Sequence, residues 1–353
     1  MNKFNEKIQK AIQQSPQILI KISQIDEFKG RWKGELNLSP KILKRLRHAI
    51  LVASTGASTR IEGSKMSDQE IENLLQGLKT TKLENRDSQE VAGYSKLLKL
   101  IFEGFKKIKF SESAILHFHK ILLQYSEKDK NHLGNYKKTS NAVIAKDLQG
   151  KEVILFNPTA PYLTSKEMQE LVDWTLSAFQ EKQIHPLLII GYFVYEFLSI
   201  HPFQDGNGRL SRVLNVFFLL KQGYNYALYA SLEKIIEDNK SEYYLSLRLS
   251  QKNRKTKAEN ILSWLNFFLD VLIKQTQVAQ ELLDQKKKED LLSPKQSMVL
   301  ELIRKYKSSK IQDLESKTKI LRPTLKQVLG RLVDLGLIQM KGQGRASYYI
   351  RKA

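Results

Sequence analysis

Residues 201–212 read His-Pro-Phe-Gln-Asp-Gly-Asn-Gly-Arg-Leu-Ser-Arg, and these types at this spacing suit chemistry on a polyphosphate. Upstream, 191–200 is an apolar helical run. Downstream, Leu210, Val213, Leu214, Phe217 and Phe218 recur at helical spacing, so the segment is a loop that opens a helix. Backbone N–H groups and the positive end of the helix dipole gather there and favour an anion. Gly206 and Gly208 carry no Cβ, so phosphate oxygens can approach the backbone. Arg209 and Arg212 stand one turn apart and can clamp further phosphates. Asp205 is an oxygen ligand for a hard cation such as Mg²⁺ that bridges phosphates. His201, at the end of the preceding helix, is placed to take a proton from a nucleophile. A Ca²⁺ loop would need several carboxylates at alternating positions, and only Asp205 is present. A Walker loop would need Gly-Lys-Ser/Thr after a longer glycine loop, which is absent.

The elements that must hold this segment are mostly helical. Residues 1–50 contain an early apolar helix and a Trp32 segment to which no chemistry attaches, and Lys41 to Leu46 begin a helix that runs on toward residue 63. In that stretch Ser58 stands four residues before Glu62, which puts both on one helical face, and Gly63 is a natural C-terminal stop. Taken alone, that pattern is an ordinary helix end with a solvated glutamate. Residues 91–108 and 113–125 read as amphipathic helices, the second opened by Ser111-Glu112. Between 135 and 161 helical periodicity stops. Residues 141–145, a turn at 147–150 and Val153-Ile154-Leu155-Phe156 read as a β-hairpin. Residues 164–179 and 185–200 are the next helices, the latter delivering His201.

The motif resembles that of the Fic family, HPFx(D/E)GNGRxxR, and matches it at every specified position. The resemblance implies transfer of AMP from ATP to a Ser, Thr or Tyr hydroxyl of a target protein. It casts His201 as general base and Asp205 as the Mg²⁺ ligand. Asn207 and the 206–208 amides would receive the α-phosphate, with Arg209 and Arg212 on the β- and γ-phosphates. The related Doc branch, a kinase, carries lysine where Gly208 stands. Ser58 to Gly63 is similar to the family's inhibitory motif, (S/T)xxxE(G/N), whose glutamate pairs with the second arginine, here Glu62 with Arg212. An N-terminal position of that motif implies a self-contained, class II-like enzyme. By the same resemblance the hairpin is a flap over the site, where the target segment adds as an extra strand; a plain structural hairpin is the alternative. Val153, Ile154, Leu155, Phe156, Leu210, Ser211 and Tyr243 join the ATP-lining set, Tyr243 opening a helix that helps enclose the adenine. Gln251 stands where some members carry asparagine. The likeness covers about residues 40–275.

Composition agrees with an enzyme that has room for a full core and more than one domain, at 353 residues and 41% hydrophobic content. There is no cysteine, which excludes disulfides and thiolate metal sites. No run approaches the ~20 apolar residues that span a bilayer, and Met1 to Glu6 lack a signal-peptide layout, so no membrane association and a cytoplasmic setting are expected. His117 and His119 read as partly buried packing residues.

The formal charge of +21 implies an acidic partner. From Lys286 onward, 17 Lys or Arg stand against 6 Asp or Glu, so the last fifth of the chain carries +11. After a charged helical linker at 276–290, helices at 296–306, 311–318 and 321–335 precede a β-hairpin of 337–340 and 346–350. That order resembles a winged helix-turn-helix. Its third helix would present Arg322, Thr324, Lys326, Gln327 and Arg331 to a DNA major groove, with Arg345 on the wing; protein docking is the alternative use. The expected architecture is mainly α: an N-terminal helical region (1–110), a Fic catalytic core with its β-hairpin flap (111–275, flap about 139–157), the linker, and a winged helix domain (291–353). Besides AMP transfer, a nucleotide-sensing transcription regulator and a hydrolase removing AMP at the same site stay open, as do a homodimer, the target protein and any DNA sequence.

Overall fold

The computed structural model of the protein describes residues 2–35, 40–77, 83–146, 152–306, 308–344 and 347–351. They fall into two compact units, Met1–Gln277 and Val278–Ala353. The hairpin turn at 147–150 and Arg345 lie outside the described residues.

The first unit opens with α1 (Lys3–Gln14), where the Asn2 carboxamide accepts the Phe4 N–H as an N-cap. Phe4, Ile8 and Ala11 form its buried stripe. Next come α2 (Gln17–Glu35) and α3 (Pro40–Ile61). A Schellman turn ends α3: the Ser64 N–H reaches the Thr59 carbonyl, the Gly63 N–H reaches Arg60, and Gly63 has φ of 106°. After α4 (Asp68–Gly77) follow α5 (Arg86–Gly104) and α6 (Glu112–Leu123), capped by the side chains of Asn85 and Ser111. The strands β1 (Val143–Lys146) and β2 (Glu152–Phe156) pair antiparallel, Ala145 opposite Val153, with the register slipping between Val143 and Ile144.

Helices α7 (Pro161–Glu181), α8 (Pro186–Ile200) and α9 (Asn207–Lys221) carry the site. Every residue of α8 from Leu187 to Ile200 is buried, as befits a helix apolar on nearly every side, and its one carboxylate, Glu196, is paired with Arg254 at 2.7 Å. The helix packs between α7 and α9. Short α10 (Leu232–Asp238) lies on α3, and α11 (Lys240–Gln251) follows it. Long α12 (Leu262–Asp290) is joined to the core by Trp264 Nε1, which donates to the Gly191 carbonyl at 2.7 Å. The Gln275 amide donates to Ala230 at 2.8 Å.

The second unit begins within α12 and continues through α13 (Pro294–Tyr306), β3 (Ser308–Ser309), α14 (Ile311–Thr318), α15 (Arg322–Asp334), β4 (Ile338–Lys341) and β5 (Tyr348–Arg351). Its core gathers Val299, Ile303, Leu314, Leu325, Leu329, Leu332 and Leu337. The expected two-stranded ribbon is a three-stranded antiparallel sheet of order β3-β5-β4, Ser308 facing Ile350. Two serines carry no hydrophobic alternation, so periodicity could not show β3.

Candidate active site

The loop between α8 and α9 is held from several directions. α8 stops at His201, whose φ of 52° turns the chain while its N–H still reaches the Phe197 carbonyl at 2.9 Å. Six residues on, the Asn207 side chain bridges the loop, accepting the Phe203 N–H at 2.9 Å and donating to the Phe203 carbonyl at 2.7 Å. Asn141 adds a second donor to that carbonyl at 2.7 Å and reaches the His201 carbonyl at 3.3 Å. Lys137 Nζ donates to the Ile200 carbonyl at 3.0 Å and to Asn141 at 2.8 Å; burial pushes its ammonium down to about 8. From the other side His119 stacks on Phe203 at 3.8 Å. Its Nε2–H donates to the Asp205 carbonyl at 3.1 Å and its Nδ1 accepts the Gly134 N–H at 3.0 Å. Both ring nitrogens are thereby committed to one neutral tautomer, and burial lowers its pKa to about 4. His119 is fully buried, not partly as its place in the sequence suggested, and it braces the loop as well as packing under it.

A cavity of about 690 Å³ opens above this loop. His201, Asp205, Gly206, Asn207, Gly208 and Arg209 line it together with Tyr243, Tyr244 and Leu247 of α11, Glu62 and Phe156. The His201 Nδ1 faces the Leu198 carbonyl at 3.4 Å, and since a carbonyl only accepts, Nδ1 carries the proton and Nε2 the lone pair. Burial lowers the imidazole to about 4, with the Leu198 bond opposing and Lys137 adding to the shift. It is therefore a neutral base at ordinary pH. Gly206, at φ of 81°, starts α9, and the N–H groups of Asn207, Gly208 and Arg209 lie in a first turn where no preceding carbonyl can pair with them.

Ion pairs close a ring around that turn. Arg209 meets Asp205 Oδ1 and Glu90 Oε2 at 3.0 Å each, Arg86 meets Glu90 Oε1 at 2.6 Å, and Arg86 also faces Asp205 Oδ2 at 3.4 Å. Burial raises the Asp205 carboxyl, but Arg209, the Gly206 N–H and Arg86 together outweigh it and hold the group below its ordinary value. Among the described residues no three or more His, Asp or Glu side chains gather as a metal cage. A lone ionised carboxylate does suit Mg²⁺, which keeps its waters and binds through one or two carboxylates plus substrate phosphates.

Glu62 sits just past the end of α3 with about a third of its side chain exposed, at 32%. Its Oε1 accepts from Arg212 Nη2 at 2.7 Å. Arg212, 2% exposed, is held further by Ser58, Nε to Oγ at 2.8 Å and Nη2 to the carbonyl at 2.9 Å. Burial raises the Glu62 carboxyl, and Arg212 followed by Arg209 lowers it further, so it is ionised below the ordinary range. The carboxylate lies against the first turn of α9. A Cβ placed on Gly208 would collide with Glu62 Oε1.

The sequence-predicted residues divide accordingly. His201, Asp205, Gly206, Gly208, Arg209, Tyr243, Phe156 and Glu62 meet at one cavity. Ser58 stands behind Arg212, outside the lining. Leu210 and Ser211 were expected on the nucleotide but face inward: Leu210 is core and Ser211 Oγ donates to the Gly208 carbonyl at 2.8 Å. Leu210 is turned roughly 200° from Gly208, to the far side of the helix, whereas Ser211 lies one turn on from Gly208 with its hydroxyl already committed to that residue's carbonyl. The Asn207 side chain is likewise spent inside the loop, which leaves its backbone N–H for a ligand. Val153, Ile154 and Leu155 lie on β2, where the backbone alone is described. Sequence reading missed Arg86, Glu90, Lys137 and Asn141. Gln251, noted for its match position, lines the cavity and donates to Ser199 Oγ at 3.1 Å.

In the second unit, α15 exposes Arg322, Lys326, Gln327 and Arg331, and half-buries Thr324. Arg322 and Lys326 lie on one flank of the helix. Gln327 and Arg331 lie roughly 140–180° further round.

Residues 109–219 match the model of the Fic/DOC family. The protein adenylyltransferase Fic of Drosophila grimshawi is 26% identical over 197 residues, which is 55% of this chain and 37% of that protein. The one of Drosophila mojavensis is 34% identical over 85 residues, covering 24% and 16%. The chain thus spans less than two-fifths of the length of these curated relatives. Among solved structures, a Fic family protein from Desulfovibrio desulfuricans superposes with a TM-score of 0.62 at 23% identity, covering 96% of this chain and 97% of its own. A Fic domain containing signaling protein from Bacteroides thetaiotaomicron gives 0.61 at 24%, covering 74% and 96%. No described helix is long and apolar enough to cross a membrane.

Proposed function

We propose that this protein, whose residues 109–219 match the Fic/DOC family model, transfers AMP from ATP to a hydroxyl group of a protein substrate and restrains itself through Glu62. One observation carries the reading: a neutral histidine whose lone-pair nitrogen is free and a helix N-terminus lined by glycine open into the same cavity. A Ser, Thr or Tyr oxygen attacks the α-phosphorus, the Pα–O bond to the β-phosphate breaks, and pyrophosphate leaves. The hydroxyl proton passes to His201 Nε2. The first-turn amides of α9 face the charge that develops on the α-phosphate, and Arg209, fixed by Glu90 and Asp205, meets the outgoing phosphates. Asp205 is the residue that would hold Mg²⁺, which neutralises phosphate charge when bound. Tyr243, packed edge-on against Tyr244 and Trp264, supplies an apolar wall for the base. The β1–β2 hairpin is read as the flap that receives the target strand.

Glu62 is the restraint. It neutralises Arg212 and fills the space over Gly208, where a terminal phosphate would need the guanidinium. Ser58 fixes that arginine from behind, which is the self-contained arrangement of a class II-like enzyme. A second reading rests on the same carboxylate: ionised and partly open to the cavity, it can orient a water for hydrolytic removal of AMP. ATP labelled at the α- or γ-phosphate separates the readings. Label retained on protein from the α-position alone means AMP transfer. Retention from the γ-position means a kinase, and loss of AMP from a pre-labelled substrate means the hydrolase.

We read the second unit as a winged helix that binds duplex DNA through α15. The support is its element order, its separate core and the exposed Arg322, Lys326 and Arg331.

A further inference from the structure

A second hollow of about 800 Å³ adjoins the catalytic cavity and shares Phe156, Arg248 and Gln251 with it. The chain just after β2 forms one wall, and the outer face of α11 forms the other. Two pairs at helical spacing are exposed on that face. Arg248 and Lys252 supply charge, while Leu245 and Leu249, exposed at 48% and 54%, supply apolar surface. Arg254 and Lys255 also line the hollow, but they are engaged by Glu196 and Glu167. Among the described residues no carboxylate lies within 4 Å of Arg248 or Lys252, and none lines the hollow.

We propose that this groove docks an extended, acidic segment of the protein substrate, with apolar side chains over Leu245 and Leu249 and carboxylates on Arg248 and Lys252. The proposal deepens the transfer reading and rests on it for the segment's identity as substrate. Continuity places the segment beside His201, since the groove runs into the cavity through three shared residues. Charge selects acidic residues, and the leucine pair favours a peptide over a bare polyanion. Complementary charge across an interface sets specificity and association rate more than raw affinity.

The experiment measures binding of three dye-labelled peptides to the full-length protein by anisotropy at low and physiological salt. They share a Ser/Thr/Tyr-bearing centre and leucines, with Glu, Gln or Lys flanks. The Glu peptide is expected to bind at least tenfold tighter than the Lys peptide. In R248E/K252E that preference should vanish or invert, and R248Q/K252Q should fall between, each variant melting within a few degrees of wild type. K99E/K107E, a charge-matched change on exposed residues of α5 and the turn after it, should leave the preference within twofold. Equal binding of all three peptides overturns the proposal. So does oligonucleotide binding that R248E/K252E abolishes without any peptide preference, which would make the groove a nucleic-acid site. α-Label transfer separates the two readings. Selective binding without transfer counts against the transfer chemistry and leaves the groove standing. Transfer indifferent to flank charge and to R248E/K252E overturns the groove alone.

Discussion

The His201 imidazole is neutral because of what lies behind it. The Leu198 carbonyl claims Nδ1–H, the α8 end buries the ring, and its pKa falls to about 4. Replacing it with alanine should lower AMP transfer by about 10²–10⁴-fold, the usual loss on removing a positioned base, while ATP binding stays within a few fold. Labelling by His201→Ala at the wild-type rate would remove the histidine from the mechanism. The depressed pKa also has a sign. Between pH 6.5 and 4 the unfolded chain protonates His201 and His119 while the folded chain does not, so stability falls as pH falls through that window. Each histidine contributes a slope of up to about 1.4 kcal/mol per pH unit. Urea unfolding at pH 7, 6 and 5 checks this; a flat midpoint across the range would place both rings in water. Glu62 is the other decisive residue. Glu62→Gly frees Arg212 and clears the space over Gly208, so transfer at saturating MgATP should rise severalfold or more. A lower or unchanged initial rate would turn Glu62 from a restraint into a plain helix end or a water-orienting base.

Among the elements, the turn at 201–206 and the first turn of α9 are held by residues from distant parts of the chain, at the end of α3, on α5 and α6 and in the segment before β1. Sequence showed the loop, the helices on either side and the helix end at Gly63, because glycine spacing, apolar periodicity and stop signals are local. The supports were hidden. Glu90 and Arg209 are 119 positions apart, Lys137 and Ile200 63 apart, and His119 and Asp205 86 apart, so no local pattern joins them. Nor could periodicity alone place Leu210 and Ser211 in the wall behind the site; that needed the direction in which α9 presents Gly208. Glu90 gives these long-range contacts a test. It lies on α5, is 6% exposed, and joins Arg209 to Arg86. Glu90→Gln leaves a buried guanidinium with Asp205 as its remaining carboxylate, so stability should drop by about 3 kcal/mol or less, since breaking a buried pair outright costs 3–5. Because Arg209 also loses its alignment, the KM for ATP should rise more than kcat falls. A variant with wild-type KM and only a lower unfolding midpoint would make the ring a purely structural feature.

At the scale of the whole chain, the charge is distributed unevenly: the second unit folds around its own core and carries much of the +21. That core, from Val299 and Ile303 through Leu325, Leu329 and Leu332 to Leu337, should let residues 278–353 fold alone, with a cooperative thermal transition. The cut belongs at 278 and not at 291, because Glu289 at the end of α12 pairs with Arg304 of α13, which is 14% exposed. The isolated unit should then bind duplex DNA with a steep salt dependence. If about five phosphates are contacted, log K should fall against log salt with a slope of about −4 to −5. The placement of side chains on α15 refines what its variants will do. Arg322 and Arg331 lie on opposite flanks of the helix, roughly 180° apart, a spacing better suited to one phosphate strand each than to neighbouring bases. Arg322→Ala and Arg331→Ala should accordingly weaken binding to every sequence alike and each make the salt slope shallower by about one. A loss confined to one sequence, at about 1–3 kcal/mol, would instead mark an arginine reading guanine. No binding to any duplex at low salt would leave protein docking, with apolar surface at the exposed Leu321 and Met340, as the use of this unit.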